Sequence, residues 1–189
     1  MTDAYRFDES STEQAIAYAK IYAGENYSPA METVLKVAFS EKRNLPTFRL
    51  KSSDTILLSG YMKKWVGAYL AGYNNRPSVR TGNCSGTHPD PMAKTILRAR
   101  ISGLEDNLAD KIVARHSLLM TIENNIGELL EEYLSVKLSP LGWYCCWGST
   151  IDAVDFCKAD GSLLQIKTSD NSENSSSSRV RQGTPIGKW

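Results

Sequence analysis

Asp155, Gln165 and Lys167 are the residues of this 189-residue chain whose types and spacing best suit catalysis. Side chains two apart on a strand share a face, so Gln165 and Lys167 are expected to project together from a strand over residues 163–168. Asp160 and Gly161 are a strong short hairpin signal, and such a turn returns that strand beside one read over 151–157 that carries Asp155. A carboxylate, a second oxygen ligand and a lysine are the groups that metal-assisted phosphodiester hydrolysis needs. Magnesium takes near-octahedral oxygen ligation and usually only one or two carboxylates, leaving room for waters and phosphate. The ion polarises a phosphoryl oxygen and helps to generate hydroxide. Lys167 would stabilise charge on a phosphorane-like transition state or help to deprotonate the attacking water.

An acidic residue followed by an acidic or amide residue, any residue, and lysine is a loose pattern that an ordinary amphipathic hairpin also satisfies. Two features of context strengthen it: the expected strand-turn-strand, and a helix upstream that offers Glu128 as a third carboxylate beside the same site. Glu128 is equally readable as a solvated glutamate, although Gly127, Leu129 and Leu130 put it near the edge of an apolar stripe. Asp152 competes with Asp155. The two lie three apart and face opposite sides of a strand, and Asp155 is preferred because Val154 and Phe156 flank it as core-facing neighbours.

The elements that must position these groups follow from periodicity. Helices are expected over 12–23, 29–39 and 53–73. Residues 74–91 are loop-like in their Asn, Gly, Pro, Ser and Thr content. Helical spacing returns from Met92 to about Lys137 with a break near Gly103. After Pro140 the texture becomes β-like, with strands over 142–147, 151–157 and 163–168. The fold class is therefore α/β in its α+β form: a mostly helical region over 1–118 and a core with a small mixed sheet over 119–189. The segment 169–189 is polar, yet keeps Val180, Ile186 and Trp189, and is read as a functional loop region beside the catalytic strand.

With 22 basic and 21 acidic residues, any nucleic-acid contact must come from local clusters rather than from a global field. No apolar run approaches the ~18–20 residues that span a bilayer, and the start is acidic and polar without a signal pattern. Cys84, Cys145, Cys146 and Cys157 lack zinc-ligand spacing and read as reduced thiols in a cytoplasmic protein. His88 and His116 show no ligand or triad spacing, and His116, beside Leu118 and Leu119, reads as structural.

Taken together, Glu128, the stretch Ala153 to Cys157, Leu164 to Lys167, and the serine-rich run from Asn174 into Arg179, Val180 and Arg181 resemble the PD-(D/E)XK nuclease superfamily. Within it they are most similar to SinI-type restriction endonucleases. The serine-rich run is the most distinctive part. That resemblance implies a core of one helix, three antiparallel strands, a further helix and a further strand. It implies a type II enzyme cutting double-stranded GGWCC, where W is A or T, with Mg2+. Asp155 would be the metal carboxylate, Gln165 would stand where most relatives have Glu or Asp, and Lys167 would be the catalytic lysine. Gln165 brings one negative charge fewer, so either Glu128 supplies it to a metal set of Asp155, Gln165 and Glu128, or the metal binds more weakly. The first is favoured. Beyond Lys167 the chain runs only from 168 to 189, so a core shortened at its C-terminal end is expected.

Arginine reads guanine through paired bonds to O6 and N7, which suits Arg179 and Arg181 to a GG-containing site. Phosphate contact by the same residues is the plainer reading. Asn171, Asn174 and Ser178 would add polar contacts; the loop from Arg80 to His88 is a second DNA-facing candidate, with a simple surface loop the favoured reading. A palindromic site implies a two-fold homodimer, with the helices before residue 120 as its place. The cognate DNA methyltransferase is expected as a genetic rather than physical partner. Two other functions remain open on the sequence: a repair-type nuclease of the same superfamily with little sequence preference, and a non-enzymatic helical module that binds DNA or protein.

Overall fold

The computed structural model describes residues 7, 9–48, 57–80, 91–167 and 186–188. Helix α1 spans Thr12–Ala23 and buries Ala15, Ala19 and Ala23, one small residue per turn, so that it packs closely on α3. Helix α2 spans Pro29–Ser40. Ser28 caps it, its side chain accepting the Met31 N–H at 3.2 Å, and Pro29 supplies a pre-set first turn. Its apolar stripe of Met31, Val34, Leu35 and Ala38 is fully buried. Helix α3 spans Leu58–Asn74 and turns Tyr61, Met62, Trp65, Val66 and Tyr69 inward. Helix α4 covers Pro91–Arg100, and α5 covers Asp106–Leu138. At 1.5 Å per residue α5 is about 50 Å long. Ion pairs from Lys94 to Asp110 (2.8 Å) and Arg98 to Asp106 (2.9 Å) tie α4 to the first turns of α5.

Four short strands make one mixed sheet in the order β1-β2-β3-β4: Trp143–Cys145, Phe156–Lys158, Leu163–Gln165 and Ile186–Lys188. β1 and β2 are antiparallel, as are β2 and β3, while β4 runs parallel to β3 with Ile186 opposite Leu163. The expected hairpin forms. Gly161 adopts φ +88°, its N–H donates to the Lys158 carbonyl, and Asp160 accepts the Ser162 N–H at 2.9 Å.

Two expectations of strand extent fail. β3 ends at Gln165, short of Lys167, so Gln165 and Lys167 do not project together from one strand, and only Lys167 lines the cleft beside α5. Residues 151–154 are a turn rather than the start of a strand, and Ala153 sits at φ +60°. The backbone there is committed to the helices instead: the Thr150 carbonyl accepts the Trp65 indole N–H at 2.9 Å, and the Asp152 N–H donates to the Asn44 carbonyl at 2.9 Å. Ile151 and Val154 plug into the core formed by α1–α3, which they share with Cys157, Leu163 and Ile186. On the other face Leu130, Leu134 and Leu138 of α5 pack with Cys145, Phe156 and Ile166. Val154 and Phe156 therefore belong to different clusters, not to one strand face. The sheet is held between helix layers.

Gly148, at φ +70°, lets the turn after β1 touch α3: a Cβ there would lie 2.0 Å from the Ala68 carbonyl oxygen. Among the described residues no helix is long and apolar enough to cross a membrane. Cys145, Cys146 and Cys157 are buried and free; burial pushes the Cys145 and Cys146 thiols well above their ordinary range.

Candidate active site

Asp155 enters β2 and is fastened to both neighbouring strands. Its N–H donates to the Leu164 carbonyl at 3.0 Å, and its carbonyl accepts the Cys146 N–H at 2.8 Å. Its carboxylate accepts the Ile166 N–H at 2.6 Å, which lays the side chain across the end of β3. Burial raises the Asp155 carboxyl above its ordinary value, against the Ile166 N–H and the Lys167 charge, which lower it. Gln165 ends β3. It is 6% exposed, and its side-chain carbonyl oxygen has no hydrogen-bond partner among the described residues. An unpaired buried carbonyl costs about 1–3 kcal/mol.

Lys167 lines a cleft of about 310 Å³ between the end of β3 and α5, together with Ile166, Gly127, Glu128, Leu130 and Glu131. Asp155 and Gln165 are not among the lining residues. Glu128 does reach this cleft, but it is half exposed and its carboxylate lies 3.9 Å from the Arg80 guanidinium. The carboxylate that leans toward the sheet is Glu131, which the sequence reading missed. Burial, then the negative charges of Asp155 and Glu128, push its carboxyl up to about 7, while Lys167 pulls the other way. A signal for it existed: Glu131, Leu134 and Leu138 follow the three-then-four spacing of one helix face, the face that meets the sheet.

A second cleft of about 210 Å³ adjoins the first and shares Glu128 and Glu131 with it. Its other wall is the loop after α3, with Arg76, Pro77 and Arg80. That loop is docked on α5 through Glu132, which accepts the Ser78 N–H at 2.8 Å and the Ser78 hydroxyl and pairs with Arg76 at 3.3 Å. The site thus has three carboxylates, Glu128, Glu131 and Asp155, and a lysine in one electrostatic neighbourhood, with a neutral carbonyl on the adjoining strand. Among the described residues no three His, Cys, Asp or Glu side chains converge as a metal cluster. Arg179, Arg181, Asn174 and Ser178 lie outside the described residues, as does the loop over 81–90. His116 is exposed on α5, as are Leu118 and Leu119, so it is not packed into the core.

A model of the SinI restriction endonuclease family matches residues 52–189. The chain belongs to that family. The match takes in every group of the site, from Arg76 on the loop after α3 to Lys167 beyond β3. The chain is 44% identical over 108 residues to the type II restriction enzyme SinI of Salmonella infantis, covering 54% of this chain and 46% of that protein. It has the same identity and coverage with the type II restriction enzyme Eco47I of Escherichia coli. The chain therefore spans about half the length of the curated relatives it matches. Within a SinI-family frame, the α+β architecture expected from the sequence is the one observed, with a small mixed sheet after a mostly helical region.

Proposed function

We propose that this protein is a type II restriction endonuclease that makes Mg2+-dependent double-strand cuts in DNA at a short palindromic site, GGWCC. The observation that carries the reading is the electrostatic coupling of Asp155, on the sheet beside the cleft, with Glu131 and Lys167, which line it, in a chain of the SinI family. The donor set suits Mg2+. Asp155 and Glu131 would supply the one or two carboxylates the ion usually takes, and the unpartnered Gln165 carbonyl would add a neutral oxygen from the adjoining strand. In this reading Glu131 takes the place first given to Glu128, whose carboxylate is engaged by Arg80. When bound, the ion supplies Lewis-acid polarisation of the scissile phosphate and a more acidic water.

The chain's own residues do the rest. The Ile166 N–H fixes the Asp155 carboxylate, so its oxygens are oriented before substrate arrives. Lys167, at the cleft wall, holds its ammonium where charge grows on the phosphoryl oxygens, or takes part in removing a proton from the attacking water. Arg179 and Arg181, with Asn174 and Ser178, are proposed to contact the DNA. The two arginines suit the guanines of the site, and that assignment rests on the sequence alone. The palindrome calls for a two-fold homodimer, each copy cutting one strand. The helical region over 1–118 is proposed to serve dimerisation or DNA contact, and 119–189 the chemistry.

The test is incubation of the purified protein with a long DNA and Mg2+, beside Lys167→Ala. Discrete fragments from the wild type alone, with ends inside GGWCC, are expected. Intact DNA in the presence of folded, DNA-binding protein would overturn the catalytic reading, and fragments ending at many unrelated sequences would overturn the specificity.

A further inference from the structure

We infer that the outward face of α5 is the seam through which two copies of this chain pair. Leu119, Ile122, Ile126, Leu129, Tyr133 and Val136 recur at alternating steps of three and four along α5, and every one is exposed, by 45% to 68%. Alternating steps of three and four are the repeat by which one helix seats against another, each side chain entering a hole on the facing helix. No described helix or strand fills that role here, and Pro77 and Arg80 of the loop after α3 reach only its edge, at Leu129. The sheet packs on the side of α5 that carries Leu130, Leu134 and Leu138, and the loop after α3 docks at Glu132. The ion pairs from α4 meet α5 in its first turns, at Asp106 and Asp110, more than two turns before Leu119. At about 100° per residue the stripe lies across the helix from Glu131 and Gly127, which line the cleft, so covering the stripe leaves the cleft open.

The occupant that fits is a second copy. At their observed exposures the six side chains and the flanking Leu118, which is 55% exposed, offer on the order of 700–800 Å² of surface, close to the ~800 Å² per partner of a standard stable interface. An exposed apolar patch of this size is unusual on a monomer. A stripe built on the helix-pairing repeat is self-complementary: about a two-fold axis each residue that enters the facing helix is matched by the same residue entering in return. Tyr133, with the Lys137 ammonium 5.6 Å from its ring centre, is amphipathic in the way that interface aromatics are. The seam rests on the two-fold arrangement proposed above, and it moves the interface from the helices before residue 120 to the second half of α5.

Sedimentation equilibrium of the full chain separates the two ideas. The wild type is expected at twice the 21.0 kDa chain mass at micromolar concentration. Ile126→Glu places a charge from each copy in the middle of the seam and is expected to weaken dimerisation by at least about 100-fold with an unchanged circular dichroism spectrum. Leu129→Gln, at a similarly exposed position, repeats the test with a neutral side chain. Ile21→Glu, on α1 at a residue 70% exposed, is expected to leave the dimer intact. A monomeric wild type would overturn the two-fold arrangement and the seam together. A dimeric wild type whose affinity Ile126→Glu and Leu129→Gln leave unchanged would overturn the seam alone.

Discussion

Replacing Glu131 by glutamine tests the electrostatics of the site without relying on cleavage. In the folded protein burial and the charges of Asp155 and Glu128 raise the Glu131 carboxyl from 4.5 to about 7. A carboxyl raised on folding binds its proton more tightly in the folded state. Stability is therefore greatest below the unfolded value and declines as pH rises from 4.5 toward 7. At 1.36 kcal/mol per unit the whole shift corresponds to about 3 kcal/mol. The side chain lines a cleft open to water, which screens its charge, so a cost of ~1–2 kcal/mol is expected. Glu131→Gln never ionises and escapes that cost. For a chain of this size the difference is roughly 3–7 °C in melting temperature. In EDTA, thermal melts followed by circular dichroism should show the variant above the wild type at pH 8. The gap should close as pH falls to 4.5. Excess Mg2+ should then raise the wild type, by about 2.7 kcal/mol at a hundred times its dissociation constant, and the variant by much less. A gap independent of pH, or a variant less stable than the wild type at pH 8, would refute the crowding of negative charge at this cleft.

Lys167→Ala should lower the rate of DNA cleavage by about 100–1000-fold, and, because its charge offsets those of Glu131 and Asp155, should melt below the wild type at pH 8 with a gap that shrinks as pH falls. Gln165→Leu removes a buried carbonyl that has no partner, so without metal it should melt no lower than the wild type, while Mg2+ should stabilise it less; a large loss of stability in EDTA would mean that the amide is structural. Gly148→Ala forces a side chain to within 2.0 Å of the Ala68 carbonyl oxygen at a left-handed φ, and urea unfolding should show a loss of at least about 2–4 kcal/mol.

Much of the local structure was legible in the residues themselves. Ser28 and Pro29 announce the start of α2, and Asp160-Gly161 announces the turn between β2 and β3, because caps and turns depend on side chains within a few positions. Asp155 and Lys167 stood out by type and spacing; Lys167 lines the cleft beside α5, and Asp155 lies on the sheet next to it. What the sequence could not decide was everything set by partners far along the chain. The turn over 151–154 reads as strand from its apolar residues. It is a turn because Trp65 and Asn44, over a hundred residues away in one case, take its backbone groups. Glu128 and Glu131 lie one turn apart on α5, and only the packing of Leu134 and Leu138 on the sheet decides which leans toward Asp155. β4 is a three-residue strand whose identity comes from lying parallel to β3. The long α5 carries apolar residues on two faces. Periodicity records both faces alike, since it measures which residues prefer to leave water and not which neighbour is there to cover them.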